Sequence, residues 1–122
     1  SMLRDHPYKT VILQEAIGDC QVPNIATDLL VRAIGASHLE EATDPLAGVD
    51  TVNGPATGML LTQIRVPDEL DFYFPPDANV TPDIDNGVHN SAVLQEATLF
   101  QAEELARTGM AMHPCDGVCD PD

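Results

Sequence analysis

Two stretches of the chain consist of closely spaced apolar residues and predict strands that are buried on both faces. Residues 9–17 read KTVILQEAI, and residues 58–66 read GMLLTQIRV. Apolar runs without a polar residue at every second position are typical of parallel sheets whose two faces are both covered. Pro67 cannot donate a ladder hydrogen bond, so we expect it to end the second strand.

Two other segments repeat apolar residues at helical spacing. Residues 22–35 read VPNIATDLLVRAIG, where Asn24 is placed to cap the helix and Gly35 to end it. The second helix is predicted over about Leu94 to Thr108, with Gly109 as its end. One apolar stripe of this second helix is expected to be buried: Leu99, Ala102, Leu105 and Ala106.

The order of these elements is strand, helix, strand, helix, which indicates an α/β layered fold of parallel strands with flanking helices. Residues 36–57 and 75–90 are predicted as loops because proline, glycine and polar residues interrupt them. Two parallel strands leave both edges of the sheet unpaired. We therefore expect an incomplete sheet that belongs to a larger one, or that pairs or swaps strands with a second copy in a homodimer.

The net charge of the chain excludes two classes of function. The chain has 122 residues with 20 acidic and 5 basic side chains, a formal net charge of −15. Nucleic-acid binding through a basic patch and attraction to anionic lipid are both excluded, because each needs clustered lysine and arginine. No apolar run approaches the roughly 20 residues that span a bilayer.

The cysteines suggest the compartment. Cys115 and Cys119 lie four residues apart in an acidic tail, residues 110–122, which we separate from the domain formed by residues 1–109. They form either a short disulfide or two free thiols. The disulfide is favoured and would suit a secreted or cell-envelope protein. Cys20 stands alone and is expected to be a buried structural thiol.

Two residues, Asp19 and His89, are candidates for a catalytic acid–base pair because of their positions in the predicted fold. Asp19 follows the end of the first strand, and His89 lies in the predicted loop GVHN before the last helix. Ligands of α/β sheets gather beyond the carboxyl ends of the strands, where both residues are expected. A carboxylate that accepts a hydrogen bond from one imidazole nitrogen fixes the tautomer, and the other nitrogen can then act as a general base.

This arrangement resembles the C-terminal part of an α/β-hydrolase, in particular the bacterial lipases and esterases. The family places its acid in a loop of the form D-x-x-V-P, which corresponds here to residues 19–23, DCQVP. The resemblance covers about residues 9–109 and follows the family's chain order of nucleophile, acid and histidine. It implies that Asp19 and His89 belong to a Ser-Asp-His triad that acts on carboxylic esters, with lipid-like or acyl substrates and no cofactor or metal.

The sequence departs from the family at the nucleophile. The motif G-x-S-x-G is absent, and the nearest string, GPATG at residues 54–58, has Ala56 where the serine would stand. The resemblance therefore implies that an upstream N-terminal hydrolase segment supplies the serine and the oxyanion donors. The chain alone is expected to be an inactive fragment.

Other residues near the two candidates leave alternatives open. Asp83 and Asp85 lie close to His89 in sequence and compete with Asp19 as its partner. Ser91 is too close to His89 to resemble a nucleophile on a strand-to-helix turn, and it is expected to cap the last helix. Cys20 has no obvious base beside it in the sequence.

The tail supports a rival function. His113, Cys115 and Cys119 are possible ligands for a soft metal. The string CDGVCDPD also resembles the opening of a thrombospondin type 3 calcium-binding repeat. That resemblance implies oxygen ligands from Asp116, Asp120 and Asp122. The alternative is therefore a non-catalytic acidic binding or assembly module with calcium at its tail.

Overall fold

The computed structural model describes residues 9–66, 72–80 and 82–120. Within them the chain forms a four-stranded parallel sheet with three helices, which confirms the predicted α/β class. The strands are β1 (Val11–Ala16), β2 (Ser37–Leu39), β3 (Thr51–Val52) and β4 (Met59–Ile64), in the spatial order β1-β4-β2-β3. The helices are α1 (Asn24–Ile34), α2 (Val88–Val93) and α3 (Glu96–Thr108).

The two predicted strands form the centre and one edge of the sheet. β1 pairs with β4 in parallel along its whole length, from Val11 opposite Met59 to Ala16 opposite Ile64. All of β4 after Met59 is buried, as expected for a strand with neighbours on both sides and covered faces. Pro67, the expected end of this strand, lies outside the described residues.

The prediction that residues 36–57 form a loop, and that the sheet has two strands, is wrong. β2 and β3 lie within this segment, and β2 pairs with β4 on one side and with β3 on the other. The His38 N–H donates to the Asp50 carbonyl at 2.7 Å, and the Glu40 N–H donates to the Val52 carbonyl at 2.9 Å. Strands of three and two residues are too short to show a period in the sequence.

Helix α1 matches its prediction except at its first residue. Gly35 ends it in the left-handed conformation, where its N–H reaches the carbonyls of Arg32 and Val31. Pro23 stands at the N-cap position without a side-chain cap, and Asn24 is the first helical residue. The Asn24 side chain bonds instead to the end of β1, so it serves the loop rather than the helix terminus.

Two predictions about the last helical region need correction. His89 lies in α2 and not in a loop. The sequence does not indicate this helix, because six residues form too few turns to show a helical pattern. Ser91 also lies inside α2, and Gln95 occupies the N-cap position of α3. Gly109 ends α3 in the left-handed conformation, as predicted.

Helix α3 does not bury the expected apolar stripe. Leu99 is 51% exposed, Ala102 and Ala106 are exposed, and only Leu105 is half-buried. The buried residue is Gln101, which meets polar side chains of β1 and β4 beneath it. Its Nε2 donates to Thr62 Oγ1 at 2.7 Å and to the Met112 carbonyl at 2.9 Å, and its Oε1 accepts from Gln14 Nε2 at 3.0 Å.

The C-terminal segment packs against the sheet. Ala111 pairs with Ala56 in an isolated antiparallel bridge and is buried against Leu39 and Leu60. The predicted Cys115–Cys119 disulfide is present, and the Arg65 N–H donates to the Cys119 carbonyl at 2.8 Å. Cys20 is a buried free thiol, as predicted.

A helix long and apolar enough to cross a bilayer does not occur among the described residues.

We expect Gln101→Ala to lower the free energy of unfolding by about 1–3 kcal/mol, because it leaves Thr62 and the Met112 carbonyl without a partner in a buried place. The measurement is urea unfolding followed by circular dichroism. Glu103→Ala, on the exposed face of the same helix, is the matched control and should change stability by less than about 0.5 kcal/mol. Equal effects of the two variants would contradict the anchoring role of Gln101.

Candidate active site

Asp19 lies in the segment that joins β1 to α1, and the backbone fixes its carboxylate. Oδ1 accepts from the Gln21 N–H at 2.8 Å and from the Val22 N–H at 3.0 Å. An aspartate that bonds to the N–H groups two and three residues ahead closes a local turn. The residue is only 4% exposed, and its second oxygen, Oδ2, remains to accept a bond from another part of the chain.

Two buried asparagines hold Gly18, the residue before Asp19. Asn24 Oδ1 accepts from the Gly18 N–H at 2.8 Å, and Asn24 Nδ2 donates to the Ala16 carbonyl at 2.6 Å. Asn86 Nδ2 donates to the Gly18 carbonyl at 2.9 Å. A side chain at position 18 would crowd the Phe74 carbonyl, since a Cβ there would stand 3.3 Å from that oxygen.

Asn86 also positions the helix that carries His89. Its Oδ1 accepts from the Val88 N–H at 3.1 Å, at the start of α2. One side chain thus connects the end of β1 with the beginning of α2. The sequence pattern does not reveal this role of Asn86, although the Asn86-Gly87 dipeptide is a recognisable turn signal.

His89 meets Asp19 in the structure. Its Nδ1 lies 2.7 Å from Asp19 Oδ2, across 70 residues of sequence. A carboxylate oxygen can only accept, so Nδ1 carries the hydrogen and Nε2 of the neutral ring keeps its lone pair. Among the described residues, no group bonds to Nε2, and the imidazole is 35% exposed.

Neither of the two competing acids, Asp83 and Asp85, bonds to His89. Asp85 accepts from the Gly87 N–H at 2.9 Å and from Gln21 Nε2 at 2.6 Å, and these bonds lower its pKa. Asp83 is exposed and makes no bond to His89. In the described parts of the chain, Asp19 is therefore the one acid that bonds to this histidine.

The structure places no nucleophile on His89 within residues 9–66, 72–80 and 82–120. Ser91 Oγ accepts from Gln95 Nε2 at 3.4 Å, inside the helical region. Cys20 is buried. The pair can therefore hold and transfer a proton, but it has no group of its own to attack a substrate.

A cavity of about 100 Å³ lies beside the pair. Asp19 and His89 line it together with residues of β1, β4, α2 and α3, which include the apolar Ile64 and Val93 and the polar Gln14 and Thr98. An imidazole on the wall of such a cavity can exchange a proton with a group that enters it.

The tail does not gather metal ligands in the described residues, where no three His, Cys, Asp or Glu side chains converge on a common point. The disulfide removes Cys115 and Cys119 as thiolate ligands. Asp116 is exposed, and Asp120 forms an ion pair with Arg65 at 3.4 Å. Asp122 lies outside the described residues.

We expect Asn86→Ala to separate the two halves of the site, because the Gly18 carbonyl and the Val88 N–H both lose their buried partner. The free energy of unfolding should fall by about 1–3 kcal/mol. The histidine ¹⁵N spectrum should lose the single Nδ1–H tautomer of His89 and show an average of both tautomers. Asn90→Ala, an exposed change on the same helix, should preserve the tautomer; an unchanged spectrum in Asn86→Ala would contradict this role.

Comparisons with protein-family models, with curated proteins and with solved structures gave no match to this chain.

Proposed function

We propose that this chain supplies the acid and the base of a lipase- or esterase-like serine hydrolase, and that an upstream segment of the same protein supplies the serine nucleophile. The bond of 2.7 Å between Asp19 Oδ2 and His89 Nδ1 carries this proposal. The carboxylate is buried and fixed by two backbone N–H groups, while the imidazole keeps a nitrogen with no partner among the described residues. This is the arrangement that a general base needs.

The chemistry follows from the two nitrogens of His89. Nε2 takes the proton of the serine hydroxyl as its oxygen attacks the ester carbonyl, and Asp19 stabilises the imidazolium that forms. The imidazolium then returns the proton to the leaving alcohol, and the acyl group remains on the serine. Nε2 then takes a proton from water as the water oxygen attacks the acyl carbonyl. The imidazolium returns this proton to the serine oxygen, and the carboxylic acid leaves.

The free edge of the sheet supports an additional strand. Within the described residues, β1 pairs with β4 alone, so its other edge has unpaired backbone groups. Helix α1 presents Leu29, Leu30 and Ile34 to solvent, and Leu29 is 62% exposed. Apolar side chains on a helix beside an open parallel edge are what an incomplete α/β-hydrolase-like sheet would present to its missing part.

We also propose that this enzyme works in an oxidising compartment. A disulfide between Cys115 and Cys119 persists in oxidising surroundings. It supports a secreted or cell-envelope enzyme.

The test uses the reading frame extended upstream of residue 1, expressed as one protein and assayed with p-nitrophenyl esters of short and long acyl chains. His89→Ala should lower kcat by about 10⁶-fold because the base is lost, and Asp19→Asn should lower it by about 10⁴-fold because the tautomer is lost. Asp85→Asn is the matched acid control, and His113→Ala is the matched histidine control. Both should stay within a few-fold of the unchanged protein.

Hydrolysis that survives His89→Ala and Asp19→Asn would refute the proposal. So would an upstream frame that encodes no serine on a strand-to-helix turn. A dimer formed by β1 edges in the extended protein, measured by sedimentation, would show that the free edge serves a second copy instead of an upstream strand.

A further inference from the structure

Two Asn-Gly dipeptides occur in the chain, Asn53-Gly54 after β3 and Asn86-Gly87 before α2. This dipeptide is the one that deamidates most readily, because glycine has no side chain to keep its backbone nitrogen away from the preceding amide. The reaction needs a glycine nitrogen that is free to attack and an asparagine side chain that is free to turn towards it. The hydrogen bonds of the folded chain therefore decide which of the two dipeptides reacts.

The folded chain protects Asn86. Its Nδ2 donates to the Gly18 carbonyl at 2.9 Å, and its Oδ1 accepts from the Val88 N–H at 3.1 Å. The Gly87 N–H donates to Asp85 Oδ1 at 2.9 Å, so the attacking nitrogen is also held. The asparagine is only 3% exposed. Both partners of the reaction are thus fixed, and water has little access to them.

Asn53 has none of these restraints. Its side chain is exposed, and neither its amide nor the Gly54 N–H forms a hydrogen bond with any part of the chain that the structure describes. The last ladder bond of β3 joins the Glu40 N–H to the Val52 carbonyl, one residue before Asn53. The dipeptide therefore begins where the sheet no longer holds the backbone.

We propose that Asn53 is a site of spontaneous deamidation in the folded protein and that the fold protects Asn86 from the same reaction. The Gly54 nitrogen loses its proton to hydroxide and bonds to Cγ of Asn53. The Cγ–Nδ2 bond breaks, and Nδ2 leaves as ammonia after it takes a proton from water. The product is a cyclic imide.

Water then opens the imide at one of its two carbonyls. Aspartate forms when the bond between the Gly54 nitrogen and Cγ breaks. Isoaspartate forms when the bond between that nitrogen and the main-chain carbonyl carbon of Asn53 breaks. Hydroxide and water are the only co-reactants, and this chemistry does not depend on the hydrolase proposal.

Deamidation at this position alters the contact between the segment after β3 and the C-terminal segment. A Cβ on Gly54 would stand 3.3 Å from the Ala111 carbonyl oxygen, so the two backbones are closely packed there. Ala56 and Ala111 exchange two backbone hydrogen bonds, at 2.9 and 2.8 Å. Isoaspartate adds a methylene to the main chain between β3 and this bridge. It also adds a carboxylate to the wall of a cavity of about 290 Å³ that Glu40 and Glu41 line. We expect both changes to weaken the bridge.

The test is incubation of the folded chain in mildly alkaline buffer, followed by trypsin digestion and tandem mass spectrometry. Trypsin cleaves after Arg32, Arg65 and Arg107, so Asn53 and Asn86 fall in different peptides. In the folded chain Asn53 should deamidate at least about 10-fold faster than Asn86, because Asn86 reacts only when its buried hydrogen bonds open. In concentrated guanidinium chloride the two residues should react at similar rates.

Hydrogen exchange tests the effect on the C-terminal segment. The Ala111 amide should exchange about 10-fold faster in the deamidated fraction, as expected for a backbone hydrogen bond that is weakened. Asn53→Gln is the matched control, because glutamine keeps an exposed amide at this position and forms its larger imide far more slowly. Exchange of Ala111 in this variant should not change during the same incubation.

Three results would overturn these inferences. Equal rates at Asn53 and Asn86 in the folded chain would show that the fold does not select between the dipeptides. An Asn53 that reacts only in guanidinium chloride would show that the folded structure protects it as well. An Ala111 amide that keeps its protection in the deamidated fraction would refute the effect on the C-terminal segment.

Discussion

The parallel pairing of β1 with β4 is the constraint on which the rest of the structure depends. Six consecutive residue pairs align the strands, and the Ile17 N–H extends the ladder by donating to the Ile64 carbonyl at 2.9 Å. Both strands therefore end at the same edge of the sheet. The segments that leave this edge bring Asp19 and His89 within bonding distance. A slip of one residue would exchange the two faces and move Glu15 to the α3 side.

Polar side chains, more than apolar ones, fasten the helices to this sheet. Gln101 connects α3 with Thr62 of β4, and Asn24 connects the start of α1 with the Ala16 carbonyl at the end of β1. The apolar clusters between the layers are small; one consists of Val31, Ala36 and Leu61 with a few neighbours. Hydrogen bonds are directional, so they fix the positions of helices that a small apolar core would leave free to slide.

The two residues of the candidate site have opposite environments, and the difference suits their proposed roles. Asp19 is buried and bonded to the backbone of its own turn, whereas the His89 imidazole is partly exposed at the start of a short helix. A fixed acid and an accessible base place the orienting group inside the protein and the reacting nitrogen at its surface. Asn24 and Asn86 hold the acid in its buried position, because both bond to Gly18, the residue before it.

The sequence by itself determined the long elements and their ends. The apolar runs of β1 and β4, the helical period of α1 and the glycines that end α1 and α3 are local signals, and each of these elements lies where it was predicted. The position of Asp19 after β1 also followed from the local pattern. Only the tertiary structure decided β2, β3 and α2, because strands of three and two residues and a helix of fewer than two turns show no periodic pattern in the sequence. The same holds for the burial of Gln101, the double role of Asn86 and the bond between Asp19 and His89. Each of these depends on a partner that is distant in sequence, and a hydrogen bond between distant residues leaves no periodic mark in the chain.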